Sequence, residues 1–194
     1  MEKIAIIGAG FGGMAAAYDL AKAGHKVTIY EAAATGRRVE RRKVNAMHVE
    51  VDQSGKIGDT RVPTVLAFSD GNTYAIMIPA KVKRKCVHRL RRRGEAGTTL
   101  YLKLFAVGLY LLLKDHISKM DCATIDVEYP GHDIDIRLYL LNMLQRAGIA
   151  TDAGQIQFQH IGKRSRAHEL ALAVFTKIKM PDRTIELGEI LAEF

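Results

Sequence analysis

A chain of 194 residues, 48% hydrophobic and 26% charged, is long enough for one sizeable core, or for one domain with an appendage, and its composition is ordinary for a soluble globular protein. Its two cysteines, Cys86 and Cys122, form no CxxC pattern; this argues against a disulfide scaffold or a structural zinc site, suits a reducing cytosol and makes a cytoplasmic location the expectation. The net charge of +8 favours a polyanionic partner such as nucleic acid, or else a basic solvated surface.

No Lys/Arg-then-apolar signal layout opens the chain. The apolar run Leu104–Leu113 is shorter than the about 20 residues of a bilayer span, so it predicts a buried helix and no membrane role.

The first 31 residues read as strand, glycine turn, helix and strand. Ile4-Ala5-Ile6-Ile7 is all apolar, as in a strand buried within a parallel sheet. Gly8-Ala9-Gly10-Phe11-Gly12-Gly13 follows, then an alanine-rich helix from Met14 to Ala23 stopped by Gly24, and a strand from Lys26 to Tyr30 ending at Glu31. In this GxGxxG spacing Gly8 permits the tight turn, Gly10 lets backbone approach a pyrophosphate, and Gly13 lets the helix pack closely on the strand. The helix N-terminus offers free N–H groups to phosphates, and Glu31 is placed for ribose hydroxyls.

The segment resembles the FAD/NAD-binding βαβ opening of flavin amine oxidase and phytoene desaturase-like oxidoreductases. That resemblance implies FAD or NAD held by Gly8, Gly10, Gly13 and Glu31. It stops at Ala34-Thr35-Gly36-Arg37-Arg38, where such enzymes continue with a Gly-Gly-Arg-type turn. A dinucleotide site needs two βαβαβ halves, and only one βαβ unit is readable here. The segment is therefore either a nucleotide site or an appended βαβ layer. The basic run Arg37–Lys43 marks a boundary, giving a Rossmann-like segment at 1–38, a basic linker at 39–45 and a main domain at 46–194.

His48 to Lys56 alternates apolar and polar positions and places Asp52 where a strand runs into a Ser-Gly turn. Strands at Val62–Ser69 and Thr73–Ile78 flank Asp70-Gly71-Asn72, a hairpin signal. Lys81 to Arg93 contains no acidic residue; it either grips phosphates, through Lys81, Lys83, Arg84 and Lys85, or forms a solvated basic helix or loop. Thr98-Thr99 cap a helix running to His116 that is apolar on nearly every face except at Lys103 and Lys114, hence buried against a sheet. A strand at Ala123–Tyr129 carries Asp126 and Glu128 and breaks at Pro130-Gly131. Asp133 and Asp135 open a helix that closes at Gly148, followed by a strand at Gln155–Ile161 and a helix at Ser165–Lys177. Met180-Pro181 ends that helix, and the acidic tail leaves room for one more short one.

From residue 46 the order is strand, strand, strand, helix, strand, helix, strand, helix. This order resembles the ribonuclease H-like superfamily of nucleases, transposases, integrases and resolvases. Val51-Asp52-Gln53-Ser54-Gly55 is similar to the family's first-strand aspartate and turn, and Thr98–Ala106 to its first helix. Ile125–Tyr129 resembles the fourth strand, and His160–Lys163 with Ala167–Ala171 the last strand and helix. The fold implied is α/β, a ribonuclease H-like mixed sheet of antiparallel meander plus parallel strands flanked by helices, preceded by the Rossmann-like segment.

The chemistry implied is hydrolysis or strand transfer at a nucleic acid phosphodiester, with RNA–DNA hybrid, duplex or branched DNA as substrate and Mg²⁺ or Mn²⁺ as cofactor. By the resemblance Asp52 and Asp126 are the catalytic, metal-binding carboxylates, the plain alternative being turn-forming and helix-preceding acids; strand alternation puts Glu128 on the same face as Asp126, where it is placed to assist. His168, with Glu169 beside it, reads either as a ligand or general acid or as half of an ordinary helix surface pair. Two departures leave open a catalytically weak nucleic-acid-binding module. Lys103 stands where the first helix carries a glutamate, adding to the basic contacts, and His168 stands where the last helix carries an aspartate.

Overall fold

A computed structural model describes residues 3–7, 11–30, 47–70 and 72–194, and the chain falls into two units, residues 1–44 and 45–194. In the first unit β1 (Lys3–Ile7) and β2 (Lys26–Tyr30) pair in parallel from Lys3↔Lys26 to Ile7↔Tyr30. A parallel pair cannot be joined by a tight turn, and α1 (Phe11–Lys22) supplies the crossover. The helix starts at Phe11, three residues before the expected Met14, and ends where Gly24 takes a φ of +86°. Gly13 lies within α1. Gly8, Gly10, Glu31 and the basic linker 39–45 lie outside the described residues.

The second unit is built on a six-stranded mixed sheet. Its strands are β3 (His48–Ser54), β4 (Thr64–Asp70), β5 (Asn72–Ile78), β6 (Cys122–Asp126), β7 (Ile156–Gln159) and β8 (Arg183–Thr184). Their spatial order is β7-β6-β3-β4-β5-β8; β4 is antiparallel to β3 and β5, and the other pairs are parallel. The helices are α2 (Ala80–Arg92), α3 (Gly97–Leu113), α4 (Asp133–Arg146), α5 (Arg166–Phe175) and α6 (Leu187–Leu191). Among the described residues no helix is long and apolar enough to cross a membrane.

Strand alternation divides the core between two faces. Val65, Ala67 and Ala75 pack against Leu170, Ala171 and Val174 of α5. Leu66 and Ile78 meet α3 on the other face, at Gly108. Twelve residues of α3 are buried, which accounts for a helix with no polar stripe. A Cβ at Gly108 would lie 2.7 Å from Leu66 Cδ1, so only glycine allows this close approach of helix to sheet. Gly108→Ala is expected to cost about 1–2 kcal/mol through overpacking, which urea denaturation measures.

Several expected boundaries shift for physical reasons. Helix α3 begins at Gly97 with Ala96 as a cap lacking a side-chain bond, so Thr98 and Thr99 are first-turn residues rather than caps. Strand β6 stops at Asp126, three residues short of Tyr129, because the chain bends toward Pro130-Gly131. The acid-free run is a regular helix, α2, with Lys83, Cys86, Val87 and Leu90 buried at helical spacing. Strand β8, which extends the sheet beyond β5, was not readable in two residues of sequence.

Candidate functional site

The β3–β6 register sets Val51 beside Ile125, which places Asp52 beside Asp126 at the ends of two parallel strands. Glu128 follows two residues after the strand and bends back to them. Carboxylate oxygens of Asp52, Asp126 and Glu128 all lie within 4.8 Å of one another. Asp52 is 5% exposed. Its Oδ1 accepts the Gln53 N–H at 2.7 Å, and its Oδ2 accepts His168 Nδ1–H at 2.6 Å. Asp126 Oδ1 accepts the Ile161 N–H at 2.7 Å. Each aspartate is thus fixed in orientation by a backbone donor, and one of them also by an imidazole.

Three acidic groups this close oppose one another's ionisation. Burial, then the charges of Asp52 and Asp126, push Glu128 up to about 7, while Lys56 and His168 act the other way. Burial also raises Asp52, against the Gln53 and His168 hydrogen bonds. A divalent cation among the three oxygens would relieve this opposition, and all-oxygen carboxylate donors suit Mg²⁺ or Mn²⁺. The donor set therefore fits such an ion, with Asp52, Asp126 and Glu128 as the residues to hold it.

A consequence is measurable without any substrate. The folded-state pKa of Glu128 lies above the ordinary 4.5, so the folded chain holds that proton more tightly than the unfolded chain. Stability from this group is complete below about pH 4.5 and is lost as pH rises toward 7. In EDTA, wild type is expected to lose about 1–3 kcal/mol between pH 4.5 and 8 that Glu128→Gln does not lose, as read by urea melts. Added Mg²⁺ is expected to raise the melting temperature of wild type at pH 8 and to leave Glu128→Gln unmoved.

The remaining candidate residues divide. His168, on the first turn of α5, touches Asp52; Glu169 beside it is exposed and is not part of the carboxylate group. Lys81, Arg84 and Lys85 are exposed on α2, with Arg84 also donating to the Thr60 carbonyl. Lys83 is a correction. It is fully buried, and its ammonium donates to Lys56 O, Asp59 O and Thr64 Oγ1 at 3.0, 2.7 and 2.8 Å, so it cannot reach a phosphate.

Lys103 is a second correction. It pairs with Glu95 at 2.8 Å and lines a separate cavity with Tyr139, Asn142 and Arg146, rather than standing among the carboxylates. The lysine that does act on Glu128 is Lys56, just past the Gly55 turn. Sequence reading passed over it, although the strand-end position next to Asp52 was the available signal. It also passed over Ser165, which caps α5 and donates its hydroxyl to Glu50 Oε2 at 2.6 Å.

The comparisons with known proteins bear on the other end of the chain. A family model described as an NAD(P)-binding Rossmann-like domain matches residues 6–53. The match begins near the end of β1, takes in α1 and β2 and runs on into β3, whose pairing in this structure is with β4 and β6. No curated protein matches the chain. No solved structure matches it either.

Proposed function

We propose that residues 45–194 form a ribonuclease H-like domain that cleaves nucleic acid phosphodiesters with divalent metal ions. The observation that carries the reading is the meeting of Asp52, Asp126 and Glu128, drawn from two neighbouring parallel strands and the turn after one of them. Further support comes from the meander β3-β4-β5 followed by β6, β7 and α5, the order the family resemblance implies, with α2, β8 and α6 as additions to it. The exposed cations of α2 and the charge of +8 suit a polyanionic substrate.

In this reading Asp52, Asp126 and Glu128 hold the metal, which when bound activates a water and neutralises charge on the phosphate oxygens. His168 steadies Asp52 through Nδ1 and leaves Nε2 to exchange a proton with the leaving oxygen. Lys56 balances the negative charge from the loop side. The test is incubation of the full chain with labelled RNA–DNA hybrid, duplex and branched DNA in Mg²⁺, Mn²⁺ or EDTA. Cleavage in either metal and none in EDTA is the expected result; no cleavage of any of them overturns the reading.

A second reading, nucleotide binding by the N-terminal βαβ unit, is favoured by the family match at residues 6–53. The β1–α1–β2 crossover, with Gly13 at the start of α1, supports it. Purified chain carrying flavin absorbance, or quenching its intrinsic fluorescence on addition of NAD(P)H or FAD, is the outcome this reading expects.

A further inference from the structure

A cavity of about 530 Å³ lies along β3, the strand that carries Asp52, and is lined by His48, Glu50, Ser69, Arg164, Ser165 and Arg166. Glu50 and Asp52 are two residues apart on one face of β3, so the cavity stands one strand repeat, about 6.6 Å, from Asp52. Ser165 and His168, which meet those two side chains, are one turn apart on α5. The cavity and the carboxylate group are thus adjacent stations on one track.

The lining is chemically mixed. Arg164 and Arg166 are exposed and have no carboxylate partner among the described residues. The start of α5 adds the positive end of a ten-residue helix. Glu50 is different. Ser165 occupies its Oε2, its other oxygen has no protein partner among the described residues, and its charge opposes a bare anion. Ser69, opposite Glu50 in the β3–β4 register, is 5% exposed and its hydroxyl has no partner. His48 is tied to Thr124 Oγ1 at 2.9 Å.

A ligand that satisfies this lining presents an anion to the arginines and a hydrogen-bond donor to Glu50. A phosphate beside a sugar hydroxyl does both, and the 2′-hydroxyl is what separates RNA from DNA within a strand. We propose that the cavity binds a ribose–phosphate unit of an RNA strand, Glu50 accepting the 2′-hydroxyl and Arg164 and Arg166 facing the phosphate. The placement beside a cleaved bond rests on the nuclease reading; the preference for RNA does not. A deoxyribose strand would leave Glu50 facing phosphate with no donor between them, so the carboxylate discriminates by repulsion as well as by attraction.

The experiment is fluorescence anisotropy of the full chain with a labelled 12-nucleotide RNA, the same sequence as DNA, and the same RNA with 2′-O-methyl groups, all in EDTA. Wild type is expected to bind RNA about tenfold more tightly than either of the other two. Glu50→Ala is expected to bring RNA affinity down to the level of DNA while DNA binding holds or improves. Arg164→Ala/Arg166→Ala is expected to weaken all three probes and flatten the salt dependence. Equal wild-type affinity for the three probes overturns the proposal, with no need for any variant to fold. So does a Glu50→Ala variant that weakens RNA and DNA alike. Metal-dependent cleavage without an RNA preference would leave the nuclease reading standing and this inference refuted; an RNA preference without cleavage would do the reverse.

Discussion

Asp52→Asn is expected to lower metal-dependent cleavage by about 10³-fold or more. The carboxylate it removes is the most enclosed of the three and the one that His168 holds. An asparagine keeps the shape and removes the charge. It also turns amide protons toward Asp126 and Glu128, or toward His168, where an acceptor stood. A loss of about 4 kcal/mol in transition-state stabilisation corresponds to that factor. The fold is expected to survive, since a buried charge is lost rather than created, and the metal-free variant should melt no lower than wild type at pH 8. His168→Ala, which removes an orienting partner and leaves the three carboxylates in place, is expected to cost only about 10–100-fold. Initial rates over a range of Mg²⁺ concentrations separate the two. A residual Asp52→Asn rate within tenfold of wild type would remove this residue from the chemistry.

Lys83→Met is expected to destabilise the second unit by about 3–4 kcal/mol, a fall in melting temperature of roughly 6–15 °C. The methionine fills a similar volume but leaves the carbonyls of Lys56 and Asp59, and the Thr64 hydroxyl, without their shared donor. Burial pushes the Lys83 pKa down to about 8, with the Asp59 charge acting the other way. The three oxygens, one for each ammonium proton, also hold the charged form at neutral pH. Because the folded-state value lies below the ordinary 10.5, the unfolded chain retains this proton better, and stability is expected to rise slightly as pH passes from 8 to 10.5. Thermal melts of wild type and Lys83→Met at pH 7 and pH 9.5 check both statements.

Much of the sheet was legible, because period-2 alternation at His48–Gln53 and the Asp-Gly-Asn turn are local signals. That Asp52 and Asp126 should meet was legible only through family resemblance. Their juxtaposition depends on the β3–β6 register, which joins residues 74 apart and leaves no local mark. Glu128 was expected beside Asp126 by strand alternation; it is there by another route, since the strand has ended and the bend before Pro130 brings it round. Lys83 was misplaced because the acid-free run was read as uniform charge. The spacing Lys83, Cys86, Val87, Leu90 is a buried helical face, and reading it as one would have put the lysine inside. Lys103 was misplaced because alignment to a family position says where a backbone lies; its partner Glu95, in the connection before α3, decides where the ammonium goes.

The two hydrogen bonds from α5 to β3, Ser165 to Glu50 and His168 to Asp52, join residues 115 and 116 apart in the chain. A nascent polypeptide emerging from the ribosome therefore carries Glu50 and Asp52 long before it carries the helix that orients them. Loop closure over that separation is slow compared with formation of the β3–β4–β5 meander. During synthesis the early sheet would expose Val65, Ala67 and Ala75 until Leu170, Ala171 and Val174 arrive to cover them, so the His168 contact to Asp52 and protection from aggregation are gained in the same late docking event.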